Sequence, residues 1–160
     1  MKVRCPATTI FALLLLTSVH LTAGIAHAQE SPFAKTARLL NETGVSYKKI
    51  DEGMWSVRYK GDNREEIDVI VAAYQEYVII FTEVAASYEV SLTPDVMKRL
   101  LEVNDEVDWA KIGLNKEGDL FVRIDLSIRS IDKQELLDCL VQTATVTDLV
   151  AGIVKRSRPR

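Results

Sequence analysis

The chain has 160 residues, a formal net charge of −3 at neutral pH and a hydrophobic content of 48%. This length suits one ordinary domain and is enough to bury a core without disulfides. The negative net charge is opposite to that of proteins that bind anionic partners. We therefore expect neither nucleic acid nor an anionic membrane as a partner.

The first residues have the three parts of a secretory signal peptide. A basic start is followed by an apolar run over residues 10–16 and by an Ala-His-Ala triplet at residues 26–28. Polar residues interrupt the apolar run before it reaches the roughly 20 residues of a membrane span, so we expect no stable membrane insertion after cleavage. We predict a signal peptide over residues 1–28, a single domain over residues 29–160, and a periplasmic or secreted location in a bacterium.

Removal of this segment would change the chemistry of the chain, because both histidines and one of the two cysteines lie within it. With Lys2 and Arg4 also removed, 18 basic and 23 acidic side chains remain, a net charge of −5. Without histidine, the serine and cysteine hydrolytic mechanisms and the usual catalytic zinc sites are excluded. We therefore predict no enzymatic activity, no metal site and no cofactor.

The first half of the mature chain predicts one helix and four strands. Ser31-Pro32 begins a short amphipathic helix, which Gly44 ends. Alternation of apolar and polar residues over residues 45–59 predicts a β-hairpin with one solvent-exposed face. Two further strands, residues 67–74 and 77–84, meet at a tight corner and carry apolar residues on both parities, which is typical of strands covered on both sides.

The second half predicts a helix, a hairpin and a long final helix. Thr93-Pro94 begins the helix by the same cap-and-proline pattern. A short strand then precedes the clean alternation of residues 120–128, which fixes the register of a second hairpin. Asp132, with Glu135 three residues later, begins the final helix, although the β-branched residues over 143–147 lower its propensity and favour a kink.

Two sets of side chains are candidates for binding. The strands at residues 67–74 and 77–84 have a second apolar face. We predict that this face is a partner surface, unless one of the helices covers it. A group of aromatic residues in the first hairpin either belongs to the core or forms a ligand-facing platform. The predicted partner surface is Ile70, Ala72, Ile79 and Phe81, and the aromatic group is Tyr47, Trp55 and Tyr59.

Cys139 is the one cysteine of the mature chain, so it cannot form an internal disulfide. Its neighbours Leu136 and Leu140 on the final helix favour a small, buried hydrophobic residue. The alternative is an intermolecular disulfide, because an odd cysteine in an exported chain favours one.

The predicted elements follow the order helix, two hairpins, helix, hairpin, long helix. Apolar and turn residues recur at characteristic places in this order: Leu39-Leu40, Trp55, Leu100-Leu101, Asn104, Ile112, Leu114, Gly118 and Leu120-x-Val122-Arg123. In this order and these residues the chain resembles the YbjN family of bacterial proteins, which shares the type III secretion chaperone-like fold. The resemblance covers about Leu39 to Leu149. It implies an α+β fold of order α-β-β-β-β-α-β-β-α, with three helices on an antiparallel sheet of five to six strands, dimeric and non-enzymatic.

These observations together predict a non-enzymatic protein-binding domain of the bacterial envelope. It would either hold an extended segment of a protein partner against its sheet or associate with a second copy. Three alternatives stay open: a small-molecule sensory module with an enclosed pocket of about 300 Å³ or more, an enzyme that uses converging carboxylates, and a purely structural homodimer.

Overall fold

The structure, a computed structural model, describes residues 30–156. The predicted signal peptide lies outside these residues. Within them the predicted order of elements is confirmed, with three helices and a six-stranded sheet. The helices are α1 (Pro32–Thr43), α2 (Pro94–Glu106) and α3 (Lys133–Arg156), and the strands are β1 (Tyr47–Asp51), β2 (Met54–Tyr59), β3 (Ile67–Tyr74), β4 (Tyr77–Ala85), β5 (Lys111–Leu114) and β6 (Leu120–Ser127).

A capping side chain confirms each predicted helix start. Ser31, Thr93 and Asp132 each accept a hydrogen bond from the backbone N–H three residues further on, at 3.1, 3.3 and 2.8 Å. Gly44 ends α1 in the left-handed conformation, with φ of +74°. These caps satisfy backbone groups that have no partner inside a helix, so local sequence determines where each helix begins.

The sheet has the strand order β1-β2-β3-β4-β6-β5, and all neighbouring strands are antiparallel. The predicted corner between β3 and β4 is confirmed, and Gln75 adopts a φ of +49° there. Gly53 joins β1 to β2 with φ of +69°, where a Cβ atom would lie 2.8 Å from the ring of Phe33. Glycine is therefore required at this turn both by its backbone conformation and by the approach of α1.

The helices cover one face of the sheet. The alternate residues Val69 and Val71 of β3, and Val78 and Ile80 of β4, are completely buried on that face. α3 contacts β3, β4 and β6 and also packs against α1 and α2. One continuous cluster of buried apolar side chains joins the helices to the sheet, so the described residues share a single core.

α3 continues as one helix through the threonine-rich turn, where the sequence predicts weak helix propensity. Thr143, Val146 and Thr147 are buried, and tertiary packing overrides their low helix propensity. The helix is long and apolar enough to cross a membrane, with a mean hydropathy of 1.4. Its fully buried Leu136 and Val150 nevertheless belong to the core of the domain.

A carboxylate on α3 holds the connection between β2 and β3. Asp148 accepts hydrogen bonds from the backbone N–H groups of Asp62, Asn63 and Arg64, at 3.2, 2.9 and 2.9 Å, and from the side-chain amide of Asn63 at 3.1 Å. A Cβ atom on Gly61 would lie 2.1 Å from the Asp148 carboxylate. The loop can approach α3 this closely because that position is glycine.

Two threonine hydroxyls in α3 are buried without a hydrogen-bond partner among the described residues, those of Thr143 and Thr147. An unpaired buried hydroxyl costs free energy that a methyl group does not. Thr147→Val should therefore raise the free energy of unfolding by about 1 kcal/mol. Urea denaturation measures the change, and Thr145→Val, at an exposed position two residues earlier, is the control. A loss of stability in Thr147→Val would show that its hydroxyl has a partner.

Candidate functional site

The predicted partner surface lies on the sheet face opposite the helices. Ile70 pairs with Phe81 and Ala72 pairs with Ile79 across β3 and β4. Directly paired residues of antiparallel strands have Cβ atoms about 5 Å apart, so these four side chains form one contiguous block. All four are half-buried, and no helix within residues 30–156 covers them. We call this side of the sheet the open face.

The block continues toward the β3–β4 corner through two tyrosines. Tyr74 and Tyr77 pair with each other and are 59% and 53% exposed, so their rings extend the apolar surface into solvent. Neither was predicted, although both have the parity of the predicted residues and flank the predicted corner. We call the six residues the apolar strip: Ile70, Ala72, Tyr74, Tyr77, Ile79 and Phe81.

A depression of about 320 Å³ lies on the open face beside the apolar strip. Phe81 and Phe121 contribute its aromatic surface. Phe121, on β6, lies over Gly113 of β5, where a Cβ atom would come within 2.8 Å of the ring. Because residue 113 is glycine and has no Cβ atom, the Phe121 ring has room to lie there. The lining residues are Ala72, Ile79, Phe81, Glu83, Asn115, Asp119, Phe121 and Arg123.

The only cation that lines the depression within the described chain, Arg123, is already paired. Its guanidinium contacts the Asp125 carboxylate at 2.7 Å through Nε and at 2.6 Å through a terminal nitrogen. Lys111 contacts the other oxygen of Asp125 at 3.1 Å. Burial tends to raise the pKa of Asp125, but the hydrogen bonds from Arg123 and Lys111 outweigh it and hold that pKa below its usual value.

The two acids that line the depression differ in their contacts. The Asp119 carboxylate accepts hydrogen bonds from the Ser87 backbone N–H at 2.8 Å and from the Asn115 side chain at 2.9 Å. These hydrogen bonds, that from Ser87 first, lower the pKa of Asp119, so it is ionised at neutral pH. The Glu83 carboxylate is exposed and makes no hydrogen bond or ion pair with the described chain. The depression therefore has one unpaired carboxylate at its edge.

The aromatic group of the first hairpin lies on the helix-covered face instead. Trp55 is only 4% exposed and belongs to the core, with Tyr47 and Tyr59 partly buried against it. The Tyr47 hydroxyl donates to Asn41 at 2.8 Å. The Tyr59 hydroxyl has no partner among residues 30–156, and burial raises its pKa. This is the arrangement of core residues, and the buried Trp55 ring presents no surface to a ligand.

Cys139 is completely buried, and burial, followed by the nearby charges of Glu135 and Asp138, raises the pKa of its thiol to about 11. An intermolecular disulfide would require this part of α3 to leave the core. Cys139 therefore occupies the position of a small, buried hydrophobic residue. Within residues 30–156, no three histidine, cysteine or acidic side chains come together in a group that could hold a metal ion.

A second exposed apolar group lies on the outer side of α2. Met97 and Leu101 are 44% and 66% exposed, and Leu114 of β5 is 44% exposed beside them. The groove that they line has a volume of about 120 Å³, much smaller than the depression on the open face. The open face is therefore the larger candidate site.

Solved structures of low sequence identity share this architecture. One is a chain of the heterodimeric ExoU–SpcU complex from the type III secretion system of Pseudomonas aeruginosa, with a TM-score of 0.55, 14% identity, and coverage of 74% of this chain and 97% of that chain. Another comes from the Yersinia pestis type III secretion chaperone SycH in complex with a stable fragment of YscM2, with a TM-score of 0.50, 14% identity, and coverage of 73% and 99%.

YbjN from E. coli also matches, with a TM-score of 0.48, 11% identity, and coverage of 74% of this chain and 87% of that chain. No family model and no curated protein sequence matches the chain. At these identities the likeness concerns the fold alone. The predicted type III secretion chaperone-like fold is confirmed.

Proposed function

We propose that this domain binds an extended apolar segment of another protein on its open face, in the manner of a chaperone. The observation that carries the proposal is the apolar strip. Its residues Ile70, Ala72, Ile79 and Phe81 have no cover, although both strands that bear them, β3 and β4, lie at the centre of the sheet. Exposed apolar surface of this kind marks a site of protein interaction.

The size of the surface favours a segment over a second folded copy. The apolar strip spans two strands, and two strands about 4.8 Å apart with about 17 Å of strand length cover an area on the order of 150 Å². A stable dimer buries about 800 Å² on each partner. A single extended segment needs much less area and fits along the strip.

The comparisons support a protein partner. The two type III secretion structures above, ExoU–SpcU and SycH with its YscM2 fragment, are complexes of this fold with another protein. We extend to this chain only the class of partner, a polypeptide, because the sequence identity is 14% in both cases.

We further propose that the domain acts outside the cytosol, after removal of residues 1–28, and has no enzymatic activity. The support is the signal-peptide pattern of the sequence. Mass spectrometry of the protein recovered from the periplasm or medium should find Gln29 at its N-terminus. Recovery of the uncleaved chain from the cytosol would contradict export while leaving the binding proposal intact.

Phe81→Asp should weaken binding, because it places an unpaired charge in the apolar strip. The measurement is suppression of the aggregation of a reduced, unfolded insulin B chain by the mature protein. We expect a loss of about ten-fold or more in potency, which corresponds to about 1.4 kcal/mol.

The matched control is Val141→Asp, which adds the same charge to α3 at a residue 47% exposed and away from the open face. Circular dichroism tests whether both variants fold, as we expect. Equal potency of Phe81→Asp and wild type would contradict the proposal. Sedimentation of wild type and Phe81→Asp distinguishes binding of a partner segment from self-association. If the wild type is a dimer and Phe81→Asp is a monomer, the open face is a self-association surface.

A further inference from the structure

The depression on the open face has two aromatic rings and two carboxylates but no free cation within the described chain. Phe81 and Phe121 form its apolar part, and Glu83 and Asp119 line it on the side where β4 ends. Arg123 is occupied by its contacts with Asp125 at 2.6 and 2.7 Å. An anionic group placed here would therefore meet two carboxylates and one guanidinium that is already paired with Asp125.

A cationic side chain fits the same surroundings. Aromatic ring faces attract ammonium and guanidinium groups, and the methylene stem of lysine or arginine packs well on apolar surface. The unpaired Glu83 carboxylate would gain a partner. Asp119 adds a second negative charge that its hydrogen bonds hold ionised.

We propose, as a refinement that rests on the proposed function, that the depression receives a lysine or arginine side chain of the segment bound on the open face. The spacing of the outward-facing residues along β4 determines where the basic residue lies in the bound segment. Successive outward residues of β4, Ile79, Phe81 and Glu83, are two positions apart, which is about 6.6 Å along a strand. An extended segment that runs along β4 repeats every two residues in the same way. It thus places apolar side chains at i and i+2 over Ile79 and Phe81 and a basic side chain at i+4 near Glu83.

Binding of three fluorescein-labelled nonapeptides to the mature protein tests this inference. They share leucines at positions i and i+2 and differ only at i+4, which is lysine, norleucine or glutamate. Fluorescence anisotropy at low salt measures each affinity. We expect the lysine peptide to bind about five-fold more tightly than the norleucine peptide, as one exposed ion pair supplies at most about that factor. The glutamate peptide should bind most weakly.

Glu83→Gln should remove most of the preference for lysine over norleucine, because only the charge of Asp119 remains, and leave the affinity for the norleucine peptide unchanged. Glu117→Gln is the matched control, because Glu117 is exposed in the adjacent β5–β6 turn but does not line the depression. It should keep the five-fold preference, and added salt should reduce that preference in both wild type and control.

The outcomes separate the two proposals. Equal binding of all three peptides, or tightest binding of the glutamate peptide, would overturn the basic-residue inference while the open face remains a binding site. Persistence of the full five-fold lysine preference in Glu83→Gln would also overturn it. Failure of every peptide to bind would overturn the proposed function itself and the inference with it.

Discussion

Replacing Leu140 by alanine is expected to lower the free energy of unfolding by about 3 kcal/mol, because truncation of a buried leucine removes apolar contacts and leaves a cavity. Leu140 is completely buried and belongs to the cluster that joins α3 to the sheet. A loss of this size is a large part of the roughly 5–15 kcal/mol that stabilises an ordinary domain. Urea denaturation followed by circular dichroism measures the change.

Val141→Ala is the matched control for this substitution. Val141 is the next residue of the same helix and is 47% exposed, so its truncation should change the stability by about 0.5 kcal/mol or less. Equal losses in Leu140→Ala and Val141→Ala would contradict the assignment of the side of α3 that faces the core.

Asp148→Ala is expected to lower the free energy of unfolding by about 2 kcal/mol, since a hydrogen bond to a charged group contributes about 1.5–3 kcal/mol. The substitution removes the acceptor for the N–H groups of Asp62, Asn63 and Arg64 and so frees the β2–β3 connection from α3. Chemical denaturation at neutral pH measures the loss. Glu65→Ala, at an exposed residue of the same connection, should have little effect.

The contribution of Asp148 should depend on pH. Burial tends to raise its pKa, but the hydrogen bonds from Arg64 and Asn63 outweigh burial and hold the pKa below the ordinary value of 3.8. A carboxylate with a lowered pKa in the folded state stabilises the fold at pH values above its unfolded pKa, and this stabilisation is lost as the pH falls through the folded value. The difference between wild type and Asp148→Ala should thus be complete at neutral pH and shrink below pH 3.8. An unchanged difference at about pH 2.5 would contradict this role.

Local patterns in the sequence were enough to locate the elements of the fold. Ser31, Thr93 and Asp132 are capping residues whose signal lies within four positions, and alternation marks the strands directly. The low helix propensity around Thr143 does not interrupt α3, because propensity describes an isolated helix whereas this turn is packed in a core. The pairing of β4 with β6 has no local signal, since α2 and β5 lie between them in the chain.

The difference between local sequence patterns and tertiary packing also explains which parts of the candidate site were predicted. Ile70, Ala72, Ile79 and Phe81 were identified because apolar residues on both parities of a strand imply two covered faces. Whether a helix covered the second face depended on tertiary packing, which periodicity does not describe. The depression was missed for the same reason, since Phe121 reaches it only through the pairing of β6 with β4.

The place of α3 in the chain bears on how this protein is made. α3 follows every strand of the sheet in the chain, yet it contacts β3, β4 and β6 and packs against α1. A nascent chain that lacks α3 leaves part of this sheet face uncovered, so the core closes only after α3 has been synthesised. A translocation channel that accepts unfolded polypeptides would receive such a chain before its core closes. The order of the elements thus suits the export proposed for this domain.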